Sequence, residues 1–383
     1  MEYELKHKEN LVLILELNED YRIEEINEVI DEEKIPVGLK VENYIKKKDI
    51  DNWIMNRGIP AKREGIEYIL DKENVENVRE LLIKNNALGL TDHYWIAEKD
   101  SDLKWKDINY FENENGFEKL GDNIYLGIKE DSIEQGRTPS SSASGMQPKR
   151  WVLYGKERWL IKSSEETTKQ EAFSELAASK ILEKINIDHV NYEIINKYDE
   201  ILSGCINMLE KNEELIPAWY VDKGKKSNNE SNLEHYIKRC RELGVESDIK
   251  IELDKMIVFD YIAANTDRHW NNFAVIRDAD NLKAKRIAPL YDHGAAFYTK
   301  FHHLDMSKKN IDLECKSFRT KQEENIKLVK NIDWLEIGLL SEIPDIVNEI
   351  MKKNKYGSLE RTNVIVSCIN ERIKMFKKNM KMI

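Results

Sequence analysis

The sequence predicts an α+β fold of two lobes, a small sheet with a helix followed by a mainly helical part, preceded by an additional N-terminal α/β region. Three observations point there. The chain has 383 residues, enough for two domains or one large bilobal unit with a sizeable core. Short apolar strands and a tight hairpin concentrate before about residue 220, whereas helical periodicity dominates after it. A stretch rich in Ser, Gly and Pro, 135–149, separates the first region from the hairpin. The boundaries are accordingly set at 1–125 for an N-terminal region of undetermined role and 126–383 for the bilobal part, which divides at about 220.

Composition narrows the function. Sixty Lys and Arg stand against 71 Asp and Glu, a net charge of −11. This argues against a broad nucleic-acid surface, because phosphate backbones attract basic domains. A local basic cleft for nucleotide phosphates stays open. Cys205, Cys240, Cys315 and Cys368 lie far apart, without zinc-like or disulfide-framework spacing. The start, Met1 to Lys6, carries no basic-then-apolar signal segment, and no run is long enough to span a bilayer. A soluble cytoplasmic protein that binds neither nucleic acid nor membrane is expected.

In the N-terminal region, Leu11 to Leu17 reads as a buried strand, and Ile50 to Ile83 as helical from the spacing of Ile66, Ile69, Val78 and Leu81. The aromatics around Tyr94, Trp95 and Trp105, and His93 with them, read as core. The stretch 135–149 is a loop by composition, although backbone N–H groups in a Ser/Gly-rich turn can also cradle an anion. Trp151–Tyr154 and Trp159–Lys162 form a hairpin around Gly155. Lys162 shares a strand face with Leu160, and if that face is buried the lysine needs an anion.

Thr168-Lys169-Gln170-Glu171 fits a capping box, and the following helix buries Phe173, Leu176, Ala177 and Ile181. Glu175 lies one turn beyond Glu171 on the same side. A strand lysine and a helix glutamate form the ion pair that places ATP phosphates in kinases. Glu175 is the preferred partner, with Glu171 as the alternative. Residues 187–194 read as a strand, with a second near Ile201. Segments 212–214 and 224–230 read as polar breaks, and the tail from Gln322 as mostly helical. His302-His303 has no third ligand at a helpful spacing and reads as a surface or ligand-adjacent pair, not a metal site.

The chemistry is densest in Asn265-Thr266-Asp267-Arg268-His269-Trp270-Asn271-Asn272, followed by Asp292-His293-Gly294. An Asp, an Asn five positions on, and a second Asp just before a Gly make the carboxylate–amide set of phosphoryl transfer. The first Asp orients or deprotonates an acceptor hydroxyl, and the other two hold Mg²⁺ against ATP phosphates. Phe273–Arg277 and Arg286–Ala288 read as the strands of a connecting hairpin. That hairpin would bring Asn272 and Asp292 together, two oxygen ligands for one hard cation.

In this order the motifs resemble the HipA-like bacterial serine/threonine kinases, distant relatives of the phosphatidylinositol-kinase-like fold. That family's catalytic segment runs Asn-x-Asp-(Arg/Gly)-His-x-x-Asn. Its Ser-x-x-Gly-x-Gln-x-Lys loop is similar to Ser142-Ala143-Ser144-Gly145-Met146-Gln147-Pro148-Lys149. The resemblance spans about residues 125–375, with Ser174-Glu175 standing where the family often has Asn-Glu. It implies a bilobal protein-kinase-like fold, ATP and Mg²⁺ as cofactors, and Asp267 as catalytic acid/base. Asn272 and Asp292 would be metal ligands, Lys162 would lie on the α/β-phosphates, and Ser144, Gly145, Gln147 and Glu175 would line the nucleotide site. It further implies a protein acceptor, autophosphorylation in the Ser-rich loop with Ser142 as first choice, and an antitoxin-like partner known for some members. A small-molecule or lipid phosphotransferase using the same site, or a non-catalytic nucleotide-binding scaffold, are the alternative readings.

Overall fold

The computed structural model describes residues 1–383 except 63–65, 115–136, 143–146, 165–167, 198–199, 311–312 and 381–383. The chain opens with β1 (Glu2–His7), β2 (Asn10–Leu17) and β3 (Ile23–Val29). A short ribbon, β4 (Lys40–Val41) and β5 (Tyr44–Ile45), follows, then α1 (Lys47–Met55), α2 (Ile66–Lys72), α3 (Val78–Lys84), β6 (Tyr94–Glu98) and α4 (Trp105–Ile108). The first sheet has the order β3-β2-β1-β6, antiparallel throughout. Leu5 pairs with Leu13 and Tyr3 with Leu15, so alternation turns these side chains to one buried face. Ile50, Trp53 and Ile54 of α1 cover it.

The second sheet begins with β7 (Lys149–Tyr154) and β8 (Glu157–Lys162), which pair through Tyr154 and Glu157. Gly155 takes φ +61° in the two-residue turn between them, where a Cβ would be strained. α5 (Gln170–Lys184) comes next, then β9 (Tyr192–Lys197) and β10 (Glu200–Ile206), completing the order β7-β8-β10-β9. The expected capping box does not form. The helix starts after Lys169, whose φ is +50°, with no side-chain cap. The strand expected over 187–194 begins only at Tyr192, because Asp188 and Val190 bond instead to both sides of Leu290 in an isolated bridge.

The third sheet has the order β11-β12-β13, from β11 (Glu213–Pro217), β12 (Ala274–Asp278) and β13 (Ala284–Ile287). Between β11 and β12 the chain forms α6 (Ala218–Val221), α7 (Asn232–Glu242) and α8 (Ile249–Ile262). After β13 come α9 (His303–Lys309), α10 (Gln322–Asn325), α11 (Ile343–Lys352) and α12 (Leu359–Asn379). One continuous core runs from α5 through α8 to α12, with Phe259, Ile262, Val347 and Ile369 at its centre. Among the described residues no helix is long and apolar enough to cross a membrane.

Segment 212–214, expected as a polar break, contains the start of β11. Tertiary pairing makes the strand possible, because both of its acids are buried against bases. Glu213 meets Lys285 and Arg286, each at 2.6 Å. Glu214 accepts from Arg277 Nε at 2.6 Å and from the His93 backbone N–H at 3.0 Å, and its Oε1 lies 2.8 Å from His7 Nε2. Arg277 also donates to the Tyr94 hydroxyl at 2.9 Å. His7, His93 and Tyr94 belong to the N-terminal region, so this buried cluster fastens that region to the third sheet. His93 is part of the core, stacked on Phe111 with ring centroids 4.4 Å apart.

Burial opposes the charge on Glu214, but Arg277, His7 and His93 outweigh it and hold the carboxyl well below its ordinary value of 4.5. The unfolded chain takes up this proton near pH 4.5 and the folded chain does not. The stability contributed by Glu214 is therefore present above that pH and lost as pH falls below it. Glu214→Ala leaves Arg277 buried without its carboxylate and is expected to cost about 3–5 kcal/mol in urea unfolding. Its acid limb of Tm against pH should be shallower than that of the parent. A loss below about 1 kcal/mol would show that the cluster does not hold the two regions together.

Candidate active site

The third sheet delivers two loops to one place. α8 ends at Ile262, the chain passes through 265–273 into β12, and β13 leads out through Leu290 to the loop 291–294. The Ala288 N–H bonds to the Ala274 carbonyl at 2.9 Å and closes the hairpin beside both loops. Arg268, 1 % exposed, lies between them. Its Nε and Nη2 donate to the two oxygens of Asp260 at 2.9 and 3.1 Å. Nη1 donates to the carbonyls of Asn272 and Tyr291, each at 2.6 Å. Nη2 also reaches His293 Nδ1 at 3.0 Å. One guanidinium thus ties the end of α8 to the loop carrying Asp267 and to the loop carrying Asp292.

The electrostatics agree with this geometry. Burial opposes the Arg268 charge, and Asp260 outweighs it and raises its pKa above the ordinary value. Burial, and then Arg268, push His293 well below its ordinary value of 6.5. The imidazole is neutral and can accept at Nδ1. Asn265 completes the frame, its Nδ2 donating to Asp260 at 2.8 Å and its Oδ1 accepting the Asp267 N–H at 3.1 Å. The sequence reading assigned no role to Asp260, Arg268, His293 or Asn265. The available signal was an Asp and an Arg eight positions apart at the end of an apolar helix, where neither charge can be buried alone.

Asp267 sits at the rim, its side chain 27 % exposed, with Lys316 Nζ 2.6 Å from Oδ1 and Lys300 Nζ 3.2 Å from Oδ2. Asn272 donates Nδ2 to the Asp267 carbonyl at 2.9 Å. That bond assigns the amide nitrogen and leaves Oδ1 as the remaining end of the group.

Lys162, at the end of β8, is buried. Its Nζ lies 2.9 Å from Glu175 Oε1 and 3.4 Å from Asp292 Oδ1. The second oxygen of Glu175 accepts from Ser203 Oγ on β10. The lysine is therefore paired with Glu175, not Glu171. Gly294 lies close to the same helix: a Cβ there would stand 3.9 Å from Glu175 Oε1. Burial acts against the Lys162 charge, but Asp292 and Glu175 outweigh it and raise its pKa well above the ordinary value. Burial likewise opposes ionisation of Asp292, and Lys162, Lys149 and Arg268 overcome it, holding the carboxyl far below the usual range. Asp292 has φ +58°, and its N–H donates to the Tyr192 hydroxyl at 3.1 Å.

The carbonyls of Asn272 and Tyr291 share one guanidinium nitrogen, so Asn272 and Asp292 stand on adjoining loops as their spacing predicts. The set of one amide oxygen and one ionised carboxylate fits a hard divalent cation that keeps waters and phosphates as its other ligands. Of the predicted nucleotide loop, Ser144 and Gly145 lie outside the described residues. Gln147 lies just ahead of β7, which pairs with the strand of Lys162. Ser142 donates Oγ to the Pro139 carbonyl at 3.0 Å and packs near Gly89.

The frame rests on Arg268, and Arg268→Lys tests it. A lysine cannot serve five acceptors on three segments from a fixed planar fork. The variant is expected to lose about 3–5 kcal/mol in urea unfolding, as is Asp260→Ala. The double variant should lose clearly less than the sum. Additive losses would separate Asp260 from the clamp.

The HipA-like C-terminal domain model matches residues 141–353. HipA of Shewanella oneidensis MR-1, solved with HipB and its operator DNA, is similar in structure, with a TM-score of 0.53 and 12 % identity. That likeness covers 98 % of this chain and 97 % of that one. The proinflammatory kinase CtkA of Helicobacter pylori is 17 % identical, with a TM-score of 0.48, over 61 % of this chain and 94 % of its own. No curated protein matches the chain. The fold is protein-kinase-like. With more than half its length matched by one family model, the chain belongs to the HipA-like C-terminal domain family.

Proposed function

We propose that the protein is an ATP- and Mg²⁺-dependent phosphotransferase acting on a serine or threonine hydroxyl of a protein. One observation carries the reading: a buried Lys162–Glu175 pair that also reaches Asp292, on a loop that Arg268 fastens to Asn272 and hence to Asp267. Asn272 and Asp292 would hold the metal. When bound there, Mg²⁺ would neutralise charge on the ATP phosphate oxygens.

The chain's own groups divide the remaining work. Lys162 is oriented by Glu175, and Glu175 by Ser203, so its ammonium is presented to the phosphates without a search among rotamers. Asp267 orients the acceptor hydroxyl and takes its proton as the acceptor oxygen bonds to the γ-phosphorus. The bond from phosphorus to the bridging oxygen breaks, and ADP leaves with that electron pair. The Shewanella complex with HipB and DNA extends the proposal to a protein partner of the same kind, on family likeness alone.

Binding and chemistry separate by mutation. Asp267→Asn keeps the shape and removes the base. Phosphorylation of a generic protein acceptor is expected to fall about 10²–10⁴-fold while ATP still raises Tm in the presence of Mg²⁺. Asp292→Asn should remove the Mg²⁺-dependent part of that Tm rise. A wild-type rise that is equal in EDTA and in Mg²⁺, or near-normal turnover by Asp267→Asn, would refute these assignments.

The Ser-rich loop adds one regulatory reading, autophosphorylation at Ser142. A phosphoserine there carries about −1.5 to −2 charges and would break the bond to Pro139. The modified loop would be repelled by ATP phosphates, and activity would fall as modification accumulates. Intact mass after incubation with ATP and Mg²⁺, with peptide mapping of 137–149, should show one added phosphate. An unmodified peptide from an active preparation would rule this out.

A further inference from the structure

Lys300 and Lys316 come from separate stretches of the chain, yet both reach one carboxylate, that of Asp267. Each side chain is about half exposed, at 47 and 48 %. An isolated exposed pair contributes little, about 0–1 kcal/mol, so stability does not account for the convergence. The backbones that carry the two lysines are firmly placed. Ser317, next to Lys316, accepts Trp270 Nε1 at its carbonyl at 3.2 Å, and its hydroxyl accepts from Asn325 at 3.2 Å. Cys315 N–H bonds to the Thr320 carbonyl at 2.8 Å and closes the turn. Phe318 packs edge-on against Trp270 and Phe273. The turn carrying Lys316 is thus bolted to the loop that carries Asp267.

Lys300 is placed in a comparable way. Arg361 donates to the carbonyls of Tyr298, Thr299 and Phe301 at 3.1, 3.3 and 2.8 Å, which surround it in sequence. The Phe297 N–H bonds to the Ala263 carbonyl at 2.7 Å, just ahead of the Asp267 loop. Both residues therefore combine a fixed backbone with a long, solvent-facing stem. The ammonium can change partner without moving the loop.

We propose that Lys316, assisted by Lys300, is a catalytic cation that passes from Asp267 to the phosphoryl group in flight. This inference rests on the phosphotransferase reading and adds residues to it. An acceptor oxygen bonded to Asp267 must stand about 3–3.5 Å from the γ-phosphorus in a reactive pose. The equatorial phosphoryl oxygens then fall within a rotamer change of any ammonium already touching Asp267. Lys162 and the metal ligands serve the opposite, nucleotide side, and charge on the transferred group needs cations on the acceptor side as well. Before substrate arrives, Asp267 parks the two ammoniums. Once Asp267 takes the acceptor's proton, its negative charge is gone and its hold on them weakens. The negative charge of the transferred group then becomes their best partner.

The test uses the full-length chain and Mg²⁺, and compares affinity for ATP with affinity for ADP plus aluminium fluoride, a mimic of the phosphoryl group in flight. Lys316→Met, which removes the charge but keeps the stem, is expected to weaken the aluminium fluoride complex about 10²-fold. ATP affinity and Tm should stay as in wild type. Lys316→Arg should restore part of the loss, and Lys300→Met should show a smaller one. The decisive arm repeats Lys316→Met in an Asp267→Asn background. A lysine that only orients Asp267 has no further effect there, whereas a lysine that contacts the phosphoryl group still weakens the mimic. Equal affinities in that background, or an unchanged ratio in the Lys300→Met/Lys316→Met double variant, would overturn the inference alone. Wild-type protein that binds neither nucleotide in Mg²⁺ would overturn the phosphotransferase reading and this inference with it.

Discussion

The architecture around the site depends on a single buried guanidinium. Arg268 has five N–H donors in a rigid plane, and burying it is tolerable only because those donors meet Asp260, two backbone carbonyls and the neutral nitrogen of His293. An unpaired charge in that position would be strongly destabilising. The acceptors belong to three segments that succeed one another along the chain through loops and a hairpin. Satisfying the arginine therefore requires that Asp267, Asn272 and Asp292 stand in fixed relation. At this residue, folding itself fixes the relation of the three candidate site residues.

A second constraint concerns charge around Lys162. Lys162 is shared by Glu175 and Asp292, so two carboxylates compete for one buried ammonium. The surplus negative charge sits on Asp292, the more exposed of the two, where a divalent cation would be welcome. Glu175 is directed inward, tied to Ser203, and acts as a brace. Asp267 shows the opposite balance, with two ammoniums on its single carboxylate.

β12 links these local arrangements to the rest of the molecule. Its first residue, Ala274, stands two positions after Asn272. Arg277, three residues further and roughly 10 Å along the strand, enters the Glu214 cluster with His7, His93 and Tyr94. The N-terminal region is therefore joined to the strand that supports the Asp267 loop, through a set of polar contacts that is costly to open. Mutations in that region would be felt first as stability of the third sheet.

Much of this was written in the sequence. A short apolar run between charged residues marked β2, a glycine turn flanked by aromatic residues marked the β7–β8 hairpin, and helical periodicity marked α5 and α8. The order of Lys162, Glu175, Asp267, Asn272 and Asp292 outlined a candidate site, because together and in that order these residue types match the set used in phosphoryl transfer. The sequence could not show what depends on partners distant along the chain. Glu213 and Glu214 looked like a break because acids are rarely buried, and only Lys285, Arg286, Arg277 and two histidines from the first hundred residues make them a strand. The capping box at Thr168 was plausible locally and lost to the αL turn at Lys169. Arg268 is in the middle of the most informative motif, yet its role lies in carbonyls and a carboxylate that only folding brings within 3 Å. Local spacing marked most of the elements and the candidate site residues; the tertiary structure decided which charges share a partner, because hydrogen bonds and ion pairs act through space and not along the chain.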